Sequence, residues 1–338
     1  MTINLGIIGV GRVGRLHANI LTSRVPKARL IAIADIFAES AKSAAEAYGI
    51  PDYSTDASEL INSSALDAIV ICSSTDTHVG YIVEAAGAGK QVFCEKPIDH
   101  DLAAIDRALR AVEAKGVKLQ VGFNRRFDSG HARVKRAIDA GEIGQPHTLT
   151  ITSRDPAPPP IDYIKVSGGL MMDMMIHDFD LCRFLLGDVE EMYAMADVMV
   201  DPAIGQAGDV DTAKVMLRFQ NGAIGTIENS RQAVFGYDQR VEVFGSGGEA
   251  RTGNVHPNQV TISDAGGVRR DPIMHFFVER YFESYVAEMN AFVDAIEQDT
   301  DVPVNGADGR APVVMAMAGL RSLQENRPVK LSELEVSR

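Results

Sequence analysis

Ile3-Asn4-Leu5-Gly6-Ile7-Ile8-Gly9-Val10-Gly11-Arg12-Val13-Gly14-Arg15-Leu16-His17 is the stretch that decides the fold. An apolar, β-branched run leads into Gly9-x-Gly11-x-x-Gly14, and a helix-compatible segment continues through Leu21. A second apolar run, Leu30-Ile31-Ala32-Ile33-Ala34, then ends in Asp35. Strand, glycine turn, helix, strand and acid, with the acid about 20 residues beyond the glycines, make up the dinucleotide-binding fingerprint. Gly9 permits the tight turn, Gly11 lets the backbone approach a pyrophosphate, and Gly14 lets the helix pack on the strand. The N-terminus of that helix faces the phosphate charge. A carboxylate at Asp35 accepts hydrogen bonds from the adenosine ribose diol and repels a 2′-phosphate, which favours NAD over NADP. Arg12, a cation in the glycine loop, suits either a place over the adenine or a hold on a 2′-phosphate, and only the second would pull the other way.

Strand and helix patterns go on alternating outward from this segment to about residue 122. An alanine-rich helix over Ala38 to Tyr48 stops at Gly49-Ile50-Pro51, and Leu66 to Cys72 is a buried-type strand ending in Ser73-Ser74-Thr75. A helix from His78 to Ala88 and a strand from Gln91 to Cys94 follow, the strand stopping at Glu95-Lys96-Pro97. A helix from Leu102 to Lys115 and a strand over Lys118 to Gly122 close the series. Such alternation predicts a doubly wound parallel sheet, the Rossmann architecture, with ligands at the carboxyl ends of its strands. Thr75 and His78 follow a strand end that faces the cofactor, although Thr75 suits a helix cap equally well.

From about residue 146 the texture changes. Strand-like runs succeed one another at His147–Ser153, Glu191–Val200, Ala213–Phe219, Ile224–Ser230 and Gln239–Phe244, separated by turns such as Asn221-Gly222. This predicts a second, α/β domain with a mainly antiparallel sheet. The proline-rich loop Arg154 to Pro160 is expected to stay outside the ladder as a stiff rim. The two domains are expected over 1–122 and 123–338. Adjacent strands in the second leave a broad sheet face needing cover, so a homo-oligomer, a tetramer, is expected.

Between these strands lies Gly168-Gly169-Leu170-Met171-Met172-Asp173-Met174-Met175-Ile176-His177-Asp178-Phe179-Asp180. On one helix Asp173, His177 and Asp180 fall at i, i+4 and i+7, a single narrow stripe on an otherwise apolar cylinder. Buried charge needs partners. A base with its orienting groups facing a cleft satisfies the pattern, and so does a narrow wetted face with a capped histidine. The neighbouring methionines read as core filler.

The 338 residues allow two cores, and 46% hydrophobic with 23% charged residues describes an ordinary globular chain. A formal net charge of −13 argues against nucleic acid or an anionic membrane as partner. The first residues read as a strand rather than a basic leader, and no apolar run approaches a membrane span, so a cytoplasmic protein is expected. Cys72, Cys94 and Cys182 lack metal-ligand spacing; no metal is expected.

Glu95-Lys96-Pro97 at the end of a late strand, after Gly9-x-Gly11-x-x-Gly14, resembles the Gfo/Idh/MocA oxidoreductase family over essentially the whole chain. Three stretches look closest to its bacterial inositol 2-dehydrogenases. They are Gly122-Phe123-Asn124-Arg125-Arg126-Phe127-Asp128, the proline-rich loop running into Tyr163-Ile164-Lys165-x-Ser167-Gly168-Gly169, and Gly236-Tyr237-Asp238-Gln239-Arg240-Val241-Glu242-Val243-Phe244-Gly245. The resemblance implies a Rossmann domain plus an α/β domain whose open sheet often joins subunits. It further implies NAD as cofactor, a polyol or sugar as substrate, and Lys96, Asp173 and His177 as the catalytic set.

Physical chemistry gives that set compatible roles. His177 is the general base, Asp173 holds its tautomer, and Lys96 stabilises the reacting oxygen, its ammonium aimed inward if the Lys96–Pro97 bond is cis. Expected cofactor contacts are Gly9, Gly11, Arg12, Val13, Gly14, Asp35, Ser73, Thr75, His78, Glu95 and Lys96. Beside the catalytic set, Asn124, Arg126, Asp155, Tyr163, Asp180 and Tyr237 are candidates for a pocket that reads many hydroxyls. The implied activity is oxidation of myo-inositol to its 2-keto derivative. Alternatives are the same chemistry on another inositol isomer or a pyranose, an NAD-dependent glycoside hydrolase, and a silent dinucleotide-binding regulator.

Overall fold

The structure, a computed structural model, describes residues 2–334. Residue 1 and residues 335–338, the outer ends of the two expected domains, lie outside the described residues. The chain forms two compact units, Met1–Asn124 with Glu283–Ala311, and Arg125–Phe282 with Pro312–Arg338.

The first unit is built on six strands: β1 (Ile3–Ile8), β2 (Ala28–Ala34), β3 (Asp52–Ser54), β4 (Ala68–Ile71), β5 (Gln91–Glu95) and β6 (Leu119–Gly122). All pair in parallel in the order β3-β2-β1-β4-β5-β6. Helices α1 (Arg12–Ser23), α2 (Ala38–Tyr48), α3 (Ala57–Ile61), α4 (Thr75–Gly87) and α5 (Leu102–Lys115) make the crossovers. The order reverses between β1 and β4, so their carboxyl ends flank the switch point at which such sheets bind ligands. Parallel strands are covered on both faces, which is why β4 is a continuous apolar run, wholly buried. The expected Rossmann fold is borne out.

The second unit holds α6 (Ser129–Asp139), α7 (Ile161–Ile164), α8 (Gly169–Asp173), α9 (Ile176–Leu186) and α10 (Pro202–Gln206). Its main strands are β7 (Pro146–Arg154), β8 (Val189–Asp197), β9 (Thr212–Phe219), β10 (Ile224–Ser230), β11 (Asp238–Gly245) and β12 (Gly248–Thr252). An exposed hairpin follows, β13 (Thr261–Asp264) with β14 (Gly267–Arg270). Two long helices, α11 (Phe277–Glu297) and α12 (Gly306–Glu325), each begin in one unit and end in the other; β15 (Val329–Lys330) is the last strand. The sheet order is β12-β11-β7-β10-β9-β8-β15, antiparallel except for the β7–β10 pair, as the expected mainly antiparallel sheet requires. One face of it is apolar and packed, with α9 lying against β7. On the other, Met195, Met216, Ile224 and Phe244 are exposed, Met195 at 64% and Met216 at 58%.

Two expectations need correction. The ladder extends through Arg154, paired with Ser230 and Asp238, because Arg154 still has an N–H; the first residue without one is Pro156. The expected single helix carrying Asp173, His177 and Asp180 is two helices. Met174 and Met175 both send their N–H groups back to Leu170 O, and His177 N–H reaches only to Met174 O. The i to i−4 ladder is therefore interrupted between α8 and α9, and the three side chains do not share one stripe. Met171, Met172, Met174 and Met175 are core, as expected.

Candidate active site

In the first unit the glycine turn has the form its sequence demands. Gly9 takes φ +87°, and a Cβ there would lie 2.6 Å from Ser73 N, while a Cβ on Gly14 would run into the Gly9 carbonyl oxygen. Gly11 faces open space, with no atom within 4 Å of where its Cβ would be. Asp35, just past β2, accepts Val10 N–H at 2.8 Å and Phe37 N–H at 2.9 Å, so its carboxylate is fixed beside the turn. Arg12 and the half-buried Val13 are the first residues of α1. Ile36 and Phe37, next to Asp35, expose apolar side chains, 75% and 67%.

The ends of β4 and β5 are tied together by a histidine. Buried His78 sets Nδ1 2.8 Å from the Pro97 carbonyl oxygen and Nε2 3.1 Å from that of Ser73. Burial lowers its pKa, against the pull of those two carbonyls. Both ring nitrogens of His78 are thus engaged by backbone carbonyls. Thr75 opens α4, whose N-cap is Ser74, and Ser73 Oγ pairs with Thr77 Oγ1 at 2.7 Å. The Lys96–Pro97 peptide is cis. Glu95 Oε1 meets Nε2 of the buried His17 at 2.7 Å, and Lys96 follows at the strand end, half-buried. Asn124 is buried, donating to Ser284 Oγ at 3.3 Å.

In the second unit a polar cluster replaces apolar packing where three strands meet. Ser153, Asn229 and Gln239 stand in register across β7, β10 and β11, all buried on the inner face. Asp178, one residue past His177, is wholly buried against them. Its Oδ1 accepts Arg125 Nη1 at 2.5 Å and its Oδ2 accepts Asn229 Nδ2 at 2.8 Å. Burial pushes the Asp178 carboxyl above its usual range while Arg125 and Asn229 pull it down. Arg125 also donates to Ser153 Oγ and to the Tyr237 hydroxyl, each at 3.2 Å. Burial raises the pKa of Tyr237, so its phenol keeps its proton.

Asp173 and His177 remain half-accessible. Asp173 Oδ1 accepts the Tyr163 hydroxyl at 2.9 Å and Oδ2 accepts Arg231 Nη1 at 3.3 Å, so the structure brings Tyr163 and Asp173 together. Asp155 lies just past β7 and is pushed up to about 6 by burial, opposed by the Arg231 charge and reinforced by that of Asp173. Arg126 and Asp180 meet in a bidentate pair, Nε and Nη2 at 2.6–3.0 Å, with Asp180 wholly buried. The two pocket candidates therefore engage each other.

Two family models match this chain: an oxidoreductase family with NAD-binding Rossmann fold over residues 3–123, and a GFO/IDH/MocA C-terminal domain over residues 131–251. A myo-inositol 2-dehydrogenase of Thermotoga maritima is 46% identical over 98% of this chain and 99% of its own length. An inositol 2-dehydrogenase of Rhizobium meliloti is 45% identical over 98% of this chain and all of its own. The chain belongs to the Gfo/Idh/MocA oxidoreductase family.

It is accordingly an NAD-dependent oxidoreductase. Among solved structures, a scyllo-inositol dehydrogenase from Lactobacillus casei with bound NAD(H) and scyllo-inositol superposes with a TM-score of 0.92, at 29% identity and over 98% of this chain and 100% of that one. The residues present fit NAD: a turn closed to any side chain at Gly9 and Gly14, open at Gly11, with an anchored carboxylate beside it. Among the described residues no His, Cys, Asp and Glu side chains gather into a group that could hold a metal ion. No helix there is long and apolar enough to cross a membrane.

The sequence reading missed Arg125, Asp178, Asn229 and Arg231. A signal for part of this was available. The inward positions run Leu149, Ile151, Ser153 in β7; Ile227, Asn229 in β10; and Val243, Val241, Gln239 in β11. Three strands each turn from apolar to polar at one end of the packed face, where a ladder alone gives no reason for it.

Proposed function

We propose that this chain is an inositol 2-dehydrogenase that oxidises myo-inositol to 2-keto-myo-inositol. The observation that carries the reading is the full-length match, at 46% identity, to the myo-inositol 2-dehydrogenase of Thermotoga maritima. The site chemistry is compatible. A cyclic polyol offers a ring of hydroxyls, and the second unit offers Asp155, Asp173, Tyr163 and Tyr237 as acceptors and donors for them.

In this reading residues 1–122 carry the cofactor, and residues 123–338 carry the substrate and the subunit contacts. Gly9, Gly11, Arg12, Val13 and Gly14 take the pyrophosphate, and Asp35 the adenosine ribose. Ser73, Thr75, Glu95 and Lys96 line the nicotinamide side, and Ile36 and Phe37 offer apolar surface to the adenine. NAD, when bound, accepts the hydride that leaves the carbinol carbon. His177 removes the hydroxyl proton, Asp173 stabilises the imidazolium that results, and Lys96 donates a hydrogen bond to the oxygen as it gains negative charge. The exposed face carrying Met195, Met216 and Phe244 joins subunits into a homotetramer.

A second reading, oxidation of scyllo-inositol, draws on the Lactobacillus casei enzyme with the same fold. The isomers differ in one hydroxyl, axial or equatorial. Turnover of a panel of inositols and aldoses with NAD, followed by absorbance of the reduced cofactor, tests both. Highest kcat/KM on myo-inositol supports the first reading, on scyllo-inositol the second, and turnover confined to aldoses overturns both.

A further inference from the structure

Arg231 directly follows β10 and is the largest of the fully buried side chains, 1% exposed. The chemistry proposed above gives it no role. Burying a guanidinium is costly unless carboxylates answer it, and here two do. Nη1 donates to Asp173 Oδ2 at 3.3 Å, and Nη2 lies 3.7 Å from Asp209 Oδ2. Those carboxylates sit at opposite ends of α8. Asp209 accepts Leu170 N–H at the first turn, at 3.1 and 3.0 Å, and Asp173 is the last residue of the helix.

A helix of five residues does not hold its own shape. No side chain of its N-cap, Gly168, can close its start, and its hydrogen-bond ladder is interrupted before α9 begins. The place of Asp173 is therefore not inherited from the helix that carries His177. It is set by what grips α8 from outside. The backbone of Arg231 is itself anchored, its N–H on the Asp211 carbonyl at 2.9 Å. Asp155 is a third carboxylate under the same positive charge.

We propose that Arg231 is a positioning residue that bridges Asp209 and Asp173 across α8 and so fixes the Asp173 carboxylate for turnover. The inference rests on the reading of Asp173 as part of the catalytic set. An arginine suits the task because its planar fork reaches two carboxylates at once, whereas lysine places one point charge.

A double-mutant cycle on the full-length protein tests it, with kcat and KM measured on myo-inositol and NAD, the Kd for NAD, and thermal unfolding. Arg231→Met is expected to lower kcat roughly 10–100-fold, the range for removing an outer hydrogen-bond partner of a functional ligand. The Kd for NAD should not change, and Arg231→Lys should recover part of the loss. In an Asp173→Asn background the same Arg231→Met change should cost less than about threefold, because residues acting through one another are not additive. A full, multiplicative loss in that background overturns the bridge while leaving Asp173 catalytic. Unchanged kcat in Asp173→Asn alone overturns the catalytic reading, and the bridge with it. Should Arg231→Met fail to fold, Asp209→Asn takes its place with the same expectation: a loss in the native background that is absent beside Asp173→Asn.

Discussion

Arg125 and Asp178 form a buried ion pair, Nη1 to Oδ1 at 2.5 Å, with side chains 4% and 0% exposed. The pair fixes the roll of α9, because Asp178 can face only the cluster of Arg125 and Asn229. His177 precedes it by one residue and so leaves the helix about 100° away, on a half-accessible side. The same guanidinium holds the Tyr237 hydroxyl. One buried cation thereby orients a candidate base and a candidate substrate contact together.

Arg125→Met should consequently be among the most damaging changes to stability in this unit. Removing one partner of a buried pair costs about 3–5 kcal/mol, since the carboxylate left behind has no water to turn to. Its escape is protonation, so the loss should be largest at neutral and higher pH and shrink as the solution is acidified. Arg125→Met with Asp178→Leu, which removes both charges, should recover much of it. Denaturant unfolding at two pH values checks this; a single variant within about 1 kcal/mol of the parent at neutral pH contradicts it.

Asp35 is expected to govern the choice of cofactor. NAD is expected to exceed NADP in kcat/KM, and Asp35→Ser should narrow or invert the ratio by removing the repulsion with a 2′-phosphate. The carboxylate also accepts Val10 N–H and Phe37 N–H, so the variant should raise KM for NAD through a loosened turn as well. A parent enzyme that prefers NADP would mean that Arg12 outweighs Asp35.

The exposed sheet face gives an assembly prediction. Tyr193 pairs in register with Met216, and Met216 with Thr226, so Met216 stands mid-sheet on the open side. Met216→Glu should lower the oligomeric state seen by light scattering while leaving the secondary structure intact. A parent protein that is monomeric at micromolar concentration removes the basis for this face as an interface.

How far the sequence could be read follows from where each feature takes its cause. The glycine turn and β1, β2, β4, β5 and β6 are set by local pattern, namely glycines at fixed spacing and largely apolar strands, and these were legible; β3, three residues long and mostly exposed, carries no such pattern and was not. The placement of Lys96 and Asp35 directly after strand ends was legible in the same local pattern. The break between α8 and α9 was not, because Met174 and Met175 are good helix formers and nothing local marks a stop. The parallel pairing of β7 with β10 joins strands far apart in sequence, beyond the reach of periodicity. Asp178 and Asp180 look alike on paper. Only the roll of α9 sends one to Arg125 and the other to Arg126.

Asp155 should leave a mark on pH dependence. Burial pushes its carboxyl up from the ordinary 3.8 to about 6 in the folded state. The folded state thus holds this proton more tightly, and the cost of the ionised form is fully present above pH 6 and fades as pH falls toward 4. Asp155→Asn should therefore raise Tm relative to the parent above pH 6, with the gap closing in acid. Activity should move the other way: a carboxylate that accepts substrate hydroxyls works ionised, so the asparagine variant should lose kcat/KM chiefly above pH 6. A Tm difference that grows on acidification would contradict the assignment.

The catalytic set carries the sharpest test. Lys96→Ala and His177→Ala should each lower kcat by about 10²–10⁴, the usual worth of a positioned acid–base group. Binding of NAD should be little changed in either, because the glycine turn and Asp35 belong to other elements. Asp173→Asn should be damaging too, since an amide cannot stabilise the imidazolium that His177 becomes. With His177 as base, kcat/KM should rise with pH through an apparent pKa that disappears in His177→Ala. Asp155 can share that titration, so the observed value belongs to the coupled group, and Asp155→Asn in parallel separates its part. If the residues at the junction of α8 and α9 serve structure alone, their variants should unfold at lower temperature yet keep full turnover per folded molecule. Thermal unfolding measured beside kcat distinguishes the two, and a well-folded, fully active His177→Ala enzyme would rule out the histidine as base.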